Sequence, residues 1–335
     1  MSKHKDGRDE EILEPDLVII DTHHHLFNRP NLRYLFDDCL EDVYAGHKVL
    51  ATVYVETQAM ARPDGPEWLR PIGEIEFANG VAAMSASGGF GPCRVAAAIV
   101  GHADMMLGDR VAQTLDRALS VAPERLRGVR QIAMDHPDER VMSVLGNRPP
   151  PGLLDSPGFG PALRQLGQRG LSFDATVLHH QLPRLGAIAA AHPDTAIVLD
   201  HMGLALAMYQ DAEGRAEVFR VWRESIRELA RRPNVVCKIG GLGTVYWDFG
   251  FDRRPGLTGY RELADAWRPY VETAIEAFGA EHSMMESDFP PDGRSCGFVP
   301  LWNALKHIVK DCTAAEKAAL FHRTAARTYR MEVPE

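Results

Sequence analysis

The sequence predicts an α/β fold, a (β/α)8 barrel of parallel strands. Short apolar runs alternate with amphipathic stretches along the whole chain. The runs are apolar at nearly every position, which is typical of parallel strands that are buried on both faces. We count eight of them, and eight strand–helix units close into a barrel. The length of 335 residues fits one such domain.

The apolar runs predict strands over residues 17–22, 50–55, 94–100, 126–132, 171–177, 196–199, 235–239 and 283–285. Helical periodicity and capping residues predict helices over 109–121, 161–169, 182–192, 217–232, 260–278 and 298–310. Residues 1–14 are polar and mixed in charge, so we expect a flexible tail before one barrel domain over 15–335. Loop insertions near 58–91, 136–160 and 244–259 follow strand ends, where barrels build their substrate pockets.

Composition narrows the classes of partner. A net charge of −9 argues against nucleic acid or an anionic membrane surface as a partner. No apolar run approaches the roughly 20 residues that a membrane span needs. The five cysteines are scattered and form no C-x-x-C pair, which is typical of a reducing compartment. We therefore expect a cytoplasmic protein that acts on a small molecule. Self-association into a homo-oligomer is a further expectation for such a barrel.

The first predicted strand runs directly into Asp21-Thr-His23-His24-His25. Side chains alternate between the faces of a strand, so His23 and His25 point the same way and His24 points opposite. Two imidazoles that project together form a chelate for a metal ion. Further candidate ligands follow other predicted strands, and in a barrel they would share the same rim; these are Glu56, His179 or His180, His201 and Asp288.

This pattern suits hydrolysis. A divalent ion with an open position lowers the pKa of bound water and polarises a carbonyl group. Asp288 is expected to bind the ion and to move a proton between the attacking water and the leaving group. His201 is expected to assist as an acid or to orient the carbonyl. Among the substrate contacts we expect Arg130 and Lys238, which would hold a carboxylate, and Tyr246 and Trp247 in the third insertion.

Six segments together resemble the amidohydrolase superfamily, specifically its amidohydrolase-related branch of lactonases and a metal-dependent decarboxylase. They occur in the expected order over residues 17–330 and are Asp21-Thr-His23-His-His25-Leu, Gly128-Val-Arg130, Phe173-Asp174 with His179-His-Gln-Leu-Pro183, Leu199-Asp200-His201-Met-Gly203, Lys238-Ile-Gly-Gly241-Leu and Glu286-Ser-Asp288-Phe-Pro290. The resemblance implies a distorted (β/α)8 TIM barrel with its active site at the C-terminal face.

For the metal-dependent members, the resemblance implies an ion on His23, His25, the strand-five histidine and Asp288, with His201 near the reacting carbon. The His-x-Gln-Leu-Pro spacing selects His179 over His180. The chain departs from related sequences at Glu56, where glutamine is common, and the added carboxylate could bridge a second ion. We therefore expect one or two divalent ions, with zinc, manganese and iron as candidates.

Four hypotheses for the function remain open at this point. The first is a metal-dependent hydrolase that cleaves a lactone or a related cyclic ester. The second is a dinuclear, iron-type oxygenase that hydroxylates a small organic substrate, and the third is a metal-dependent, non-oxidative decarboxylase. The fourth is a barrel that has lost activity and serves as a partner subunit. Retention of every candidate ligand argues against the fourth.

Overall fold

The computed structural model describes residues 9–29, 32–256 and 258–332. Eight strands form one sheet in which chain order and spatial order agree, and each strand is parallel to the next. We number them β1 to β8: Val18–His24, Lys48–Val55, Arg94–His102, Leu126–Arg130, Ser172–Ala175, Ile197–Leu199, Val235–Ile239 and Ser283–Met285.

The sheet closes where β8 returns to β1. The backbone N–H of Asp288 donates to the oxygen of His23 at 2.9 Å, and that of His25 donates to the oxygen of Phe289 at 2.8 Å. These two bonds lie just beyond the end of β8, so the seam is held at the C-terminal rim. The eight parallel strands confirm the predicted (β/α)8 barrel.

Helices connect the strands, as the periodicity predicted. In chain order α1 to α11 are Phe36–Val43, Ile72–Ala86, Val111–Val121, Glu139–Met142, Phe159–Gln168, Leu182–Ala191, Ala212–Leu229, Tyr260–Phe278, Phe298–Ile308, Ala314–Ala318 and Thr324–Thr328. The bounds of α8 match the prediction. The antiparallel pair Phe27–Arg29 and Leu32–Tyr34 and the helix α1 were not predicted. They lie between β1 and β2.

Two apolar clusters stabilise the barrel. The larger lies between the sheet and the surrounding helices. The smaller fills the barrel interior with small and branched side chains from alternating strand positions, including Ile20, Val53, Val100 and Val198. Tyr329, which follows α11, is fully buried and joins this interior cluster. The C-terminal segment thus contributes a side chain to the core of the sheet.

Residues 9–14, which belong to the predicted flexible tail, contact helix α9. The side chain of Asn303 in α9 accepts the backbone N–H of Leu13 at 2.8 Å and donates to the oxygen of Glu11 at 2.9 Å. Lys306 donates to the backbone oxygens of Leu13 and Glu14. Residues 9–14 therefore pack on the barrel, which corrects that part of the prediction. Residues 1–8 lie outside the described residues.

The three predicted insertions differ in content. Residues 58–91 consist of a loop with a short 3-10 turn, Glu67–Leu69, followed by the barrel helix α2. The segment 136–160 contains α4 and the turn Leu153–Asp155, and 244–259 contains the turns Val245–Trp247 and Phe251–Arg253. In the part of the chain that is described, no helix is long and apolar enough to cross a membrane.

Candidate metal centre and active site

A cavity of about 370 Å³ opens at the C-terminal rim of the barrel. Its floor is formed by polar side chains that follow strand ends, His25, Glu56, Arg130, His201 and Asp288. Its walls come largely from the segments 132–147 and 243–246 and from the strand that begins at Phe27. The middle of the second insertion and the start of the third thus line the cavity.

His23, His25 and Asp288 converge at the floor of the barrel mouth. The Nε2 atoms of the two histidines are 3.2 Å apart. Oδ1 of Asp288 lies 3.4 Å from Nε2 of His25 and 3.7 Å from Nε2 of His23. The three side chains are almost completely buried. Alternation along β1 brings the two rings together, and the closing seam brings Asp288 to them.

These distances fit a bound divalent cation. Zinc–ligand bonds of about 2.0–2.1 Å in a tetrahedral site separate neighbouring ligand atoms by about 3.4 Å. Nδ1 of His25 lies 2.8 Å from the backbone oxygen of Val55, which fixes its proton there and leaves a lone pair on Nε2. Burial lowers the pKa of His25 to about 4, so the ring is neutral near pH 7. Two imidazole nitrogens that face each other closely are stabilised by a cation between them.

The orientation of His23 is set by carboxylates behind it. Nδ1 of His23 lies 3.1 Å from Oε2 of Glu286 and 3.5 Å from Oδ1 of Asp200. Acidic partners at Nδ1 favour the tautomer that carries its proton there, so Nε2 holds the lone pair that a metal ligand needs. Glu286 and Asp200 thereby support the chelate from the second layer of side chains.

His201 lies beside the cluster and is held by the same Glu286. Nδ1 of His201 is 2.7 Å from Oε1 of Glu286, and its Nε2 is 4.0 Å from Oδ1 of Asp288. Burial tends to lower the pKa of His201, but the carboxylates of Glu286 and Asp288 outweigh it and raise the pKa to about 9. His201 is therefore a protonated donor near pH 7, with one N–H directed at Glu286.

Two glycines after β7 leave room for the close contact between His201 and Glu286. A Cβ atom at Gly241 would lie 2.3 Å from Nδ1 of His201, and one at Gly240 would lie 2.4 Å from Cγ of Glu286. Gly241 also has a φ of +62°, a conformation in which a side chain is strained. The Gly-Gly pair after β7 is therefore required by the packing of the His201–Glu286 pair.

Two groups of side chains are close enough to hold a metal ion among the described residues. One is His23, His201 and Asp288, and His25 extends it by the distances given above. The other is His23, Asp200 and Glu286. Nζ of Lys238 lies 3.0 Å from Oδ1 of Asp200, so an ammonium group already offsets the charge of that second group.

Lys238 is a buried structural cation in this structure. Its ammonium group pairs with Asp174 at 2.9 Å and with Asp200. Burial would lower the pKa of Lys238, but these carboxylates raise it above its usual value. The side chain is completely buried and is not among the residues that line the cavity. The predicted contact between Lys238 and a substrate carboxylate is therefore not seen, because the strand directs it into the barrel.

Glu56 and Arg130 are paired with each other. Nε of Arg130 donates to Oε1 of Glu56 at 2.9 Å, and its Nη1 lies 3.2 Å from Nε2 of His23. Among the described residues, Glu56 belongs to neither candidate metal group. The structure shows the two side chains in a buried ion pair on the cavity floor, and the expectations that Glu56 bridges ions and that Arg130 binds a substrate carboxylate stay predictions.

His179 lies apart from the cluster. It begins a 3-10 turn that follows β5, and its Nδ1 accepts the backbone N–H of Leu206 at 3.2 Å. Burial lowers the pKa of His179 to about 4. His180 points elsewhere, with its Nε2 3.0 Å from the backbone oxygen of Asp135. The resemblance assigns His179 to the metal ion together with His23, His25 and Asp288. In this structure neither His179 nor His180 lies in that cluster.

The two aromatic residues that were predicted to contact the substrate have different surroundings. Tyr246 lines the cavity, as expected. Trp247 is buried between Trp222, Phe249 and Tyr270 and donates its indole N–H to the backbone oxygen of Gly241 at 2.9 Å. Trp247 therefore belongs to the core beneath the loop, because the single turn Val245–Trp247 directs neighbouring side chains to different sides.

Sequence reasoning gave no role to Glu286 and Asp200, although both stand in the quoted motifs. The signal was present in the spacing. Glu286 precedes Asp288 by two positions, so both carboxylates stand just after the last predicted strand, at the rim where the site was expected. Arg294, which lines the cavity after β8, carried no such signal because it follows an irregular segment.

Comparison with known proteins identifies the family of this chain. A family model described as amidohydrolase matches residues 20–331. An uncharacterized protein, y4mH, of Sinorhizobium fredii is 30% identical over 330 residues, which cover 94% of this chain and 99% of that protein. An L-fucono-1,5-lactonase of Burkholderia multivorans is 30% identical over 240 residues, 71% of this chain and 73% of the lactonase.

Solved structures show the same architecture. A Burkholderia multivorans amidohydrolase crystallised with bound zinc is 26% identical, with a TM-score of 0.70 over 94% of this chain and 100% of that one. A Pseudomonas putida protein described as a putative 2-pyrone-4,6-dicarboxylic acid hydrolase is 20% identical, with a TM-score of 0.62 over 95% and 99% of the two chains, and supports the fold. On the match of nearly the whole chain, this protein belongs to the amidohydrolase family.

Proposed function

We propose that this protein is a metal-dependent hydrolase that opens a lactone or a related cyclic ester. The observation that carries the proposal is the convergence of His23, His25 and Asp288, whose ligand atoms lie 3.2–3.7 Å apart on the cavity floor. The lactonase relatives from two Burkholderia species and the zinc in a similar amidohydrolase support the substrate class and the metal.

His23, His25 and Asp288 would hold the ion. A divalent ion in such a site supplies an activated water and polarises the carbonyl group of an ester. The fit rests on the chemistry of the donor set, since imidazole nitrogen and carboxylate oxygen are the usual ligands of catalytic zinc.

Two side chains of the cavity floor can move or hold a proton. Asp288 is ionised, because His201 and the two β1 histidines outweigh the effect of burial and lower its pKa. It can accept a proton from the attacking water and return it to the leaving alkoxide of the ring. His201 is fixed by Glu286 through its Nδ1, and an Nε2–H on this ring can donate to the carbonyl oxygen as negative charge develops there.

Part of the cavity wall is apolar. It is lined by Phe27, Ile132, Met134 and Leu145. An apolar enclosure strengthens the electrostatic interactions on the floor and suits a compact, uncharged ring.

The experiment is a ring-opening assay. Protein loaded separately with zinc, manganese or iron would be mixed with a panel of γ- and δ-lactones, and acid release would be followed with a pH indicator. We expect hydrolysis with at least one metal, and we expect Asp288→Asn to lower kcat by at least about a hundredfold. The matched control is Asp116→Asn on the exposed face of α3, which should keep wild-type activity.

Two results would overturn the proposal. One is the absence of ring opening across the panel with all three metals. The other is near-normal turnover by Asp288→Asn. Repeating the assay without dioxygen separates hydrolysis, which does not need it, from hydroxylation by a dinuclear oxygenase.

A further inference from the structure

Arg130 forms two hydrogen bonds with Glu56 on the cavity floor. Nε of Arg130 donates to Oε1 of Glu56, and its Nη2 donates to the backbone oxygen of the same residue. The remaining nitrogen, Nη1, lies 3.2 Å from Nε2 of His23. Arg130 is 5% exposed and Glu56 1% exposed. The pair is therefore a fixed part of the floor and lies next to a candidate metal ligand.

The pair changes the charge that a substrate meets. A free guanidinium on the floor of a buried cavity would attract a carboxylate strongly and bidentately. A glutamate in direct contact offsets that charge and occupies the donors that would form such a bond. Arg130 consequently offers little attraction to an anionic group beside the reacting carbonyl.

The two other arginines of the cavity lie elsewhere. Arg29 donates to the backbone oxygen of Thr57 and lies over the ring of Phe27. Arg294 is exposed at the opening of the cavity. Neither contacts the cluster of His23, His25 and Asp288 in the part of the chain that is described. Neither arginine therefore offers an anion on a substrate a partner at the reacting end.

The walls between floor and opening are mixed, with a large apolar part. The apolar side chains are those of Leu32, Ile132, Met134, Leu145 and Val245, and the polar ones include Thr57, Gln58, Asn147, Thr176 and Thr244. Burial of a hydrocarbon group against the apolar part is favourable. This part of the walls and the offset charge of Arg130 thus favour an uncharged ligand that carries an apolar group.

We propose that Glu56 is a specificity-determining residue that selects lactones with an uncharged ring and an apolar substituent, by holding Arg130 in a neutral pair. The inference rests on the proposed function, since it names the substrate class of that site. Glu56 acts on the ligand through Arg130, so it is a positioning residue.

Replacement of Glu56 by glutamine isolates the charge. The amide oxygen can still accept from Nε of Arg130, and the backbone oxygen of residue 56 is unchanged. Oε2 of Glu56 has no hydrogen-bond partner, and the nearest ring nitrogen, Nδ1 of His102, is 3.7 Å away. An amide nitrogen at that position therefore displaces no existing hydrogen bond. The variant leaves Arg130 in place with its charge no longer offset.

The test uses two pairs of ligands. The binding probes are δ-lactams with a pentyl substituent that carry either a ring carboxylate or the matching carboxamide. Calorimetry on zinc-loaded protein would give the Kd of each lactam, and the corresponding lactones would give kcat and KM. We expect the wild type to prefer the carboxamide. In Glu56→Gln we expect the ratio of the two Kd values to shift towards the carboxylate by at least about tenfold. The kcat and KM of the carboxylate and carboxamide lactones are compared within each variant, so that a general change of activity cancels in the ratio.

A second variant should shift the ratio of the two Kd values in the opposite direction. Arg130→Gln leaves the Glu56 carboxylate without its cation, so the carboxylate lactam should bind at least about tenfold more weakly than to the wild type. The matched control is Glu76→Gln, which makes the same change in an exposed pair with Arg62 and should leave the ratio unchanged. Circular dichroism melting curves establish that each variant is folded.

The outcomes distinguish the two proposals. The same ratio of Kd values in the wild type, Glu56→Gln and Arg130→Gln would overturn the role of Glu56, whatever the lactones do. A shift of the ratio in lactam binding together with no ring opening of any lactone would support the role of Glu56 and defeat the proposed hydrolysis.

Discussion

Ser287 donates both its backbone N–H and its side-chain hydroxyl to the carboxylate of Asp21. The same carboxylate accepts the backbone N–H of His23 at 3.3 Å. Asp21 stands in β1 and Ser287 follows β8, so their contact lies on the seam that closes the barrel. His23 and Asp288 are neighbours of the two partners in sequence. One buried carboxylate therefore fixes the backbone on both sides of the candidate metal site.

Loss of the Asp21 carboxylate should destabilise the protein. Asp21→Ala leaves buried donors of Ser287 and His23 without acceptors, which predicts a loss of about 2–4 kcal/mol in the free energy of unfolding. Asp21→Asn keeps an acceptor and should lose less. Burial raises the pKa of Asp21 to about 7, so a neutral side chain is tolerated there. Urea unfolding of both variants checks the prediction; an equal and small loss in both would contradict it.

Metal content should follow the geometry of the cluster. His25→Asn removes a ligand atom that lies 3.2 Å from the Nε2 of His23, so bound zinc should fall by at least about tenfold at limiting zinc. His179→Asn should keep the zinc of the wild type, because His179 bonds to the backbone of Leu206 instead. Elemental analysis after dialysis against a weak chelator gives both numbers. Loss of zinc in His179→Asn would restore the assignment that the family resemblance implies.

Zinc should also stabilise the folded chain. Binding to the folded state alone raises its stability by about 2.7 kcal/mol when free zinc is a hundred times its Kd. The melting temperature of the wild type should therefore rise with added zinc, and that of His25→Asn should rise much less. Differential scanning calorimetry with and without the ion measures this. Equal shifts in both proteins would show that zinc binds elsewhere.

The sequence predicted the parts of the site that depend on periodicity. The strict alternation along β1 is enough to direct His23 and His25 together, and their Nε2 atoms are 3.2 Å apart. The position of Asp288 at the same rim follows from the barrel, since all parallel strands end on one face. The barrel itself follows from eight doubly buried runs.

Contacts between side chains from different strands could not be predicted from the sequence. Glu56 and Arg130 are 74 positions apart, and the ion pair between them was not predicted, since Glu56 was assigned to a metal ion and Arg130 to a substrate carboxylate. Periodicity gives the face of a strand but does not say which charges on that face meet. His179 shows a second limit. The predicted strand reached residue 177, whereas β5 ends at Ala175 and the chain turns before His179.

Lys238 is expected to be essential for stability. It pairs with Asp174 and Asp200 inside the barrel, where all three side chains are completely buried. Lys238→Met leaves both carboxylates uncompensated, which predicts a loss of about 3–5 kcal/mol in the free energy of unfolding. Tyr329 donates its hydroxyl to Asp174 at 2.6 Å, and Tyr329→Phe removes only that bond, so about 1 kcal/mol should be lost. Urea unfolding ranks the two variants, and the reverse order would refute this account.

Lys306 gives a prediction for alkaline pH away from the metal site. Its ammonium group is held by the backbone oxygens of Leu13 and Glu14 and lies 3.0 Å from Nδ1 of His47. Burial lowers the pKa of Lys306 from 10.5 to about 8. Between these two values the unfolded chain binds more protons than the folded one, so this residue makes stability rise with pH over that range.

Substitution of Lys306 by methionine removes that titration. The free energy of unfolding of the wild type minus that of Lys306→Met should therefore increase as the pH is raised from about 8 to about 10.5, and should be constant below about 8. Taking the difference cancels the tyrosine, cysteine and other lysine groups that titrate in both proteins. Urea unfolding at four or so pH values across this range measures it. A difference that falls as the pH rises would mean that the folded state holds the Lys306 proton more tightly than the unfolded state, and the segment 9–14 would then stabilise the charge and not merely bury it.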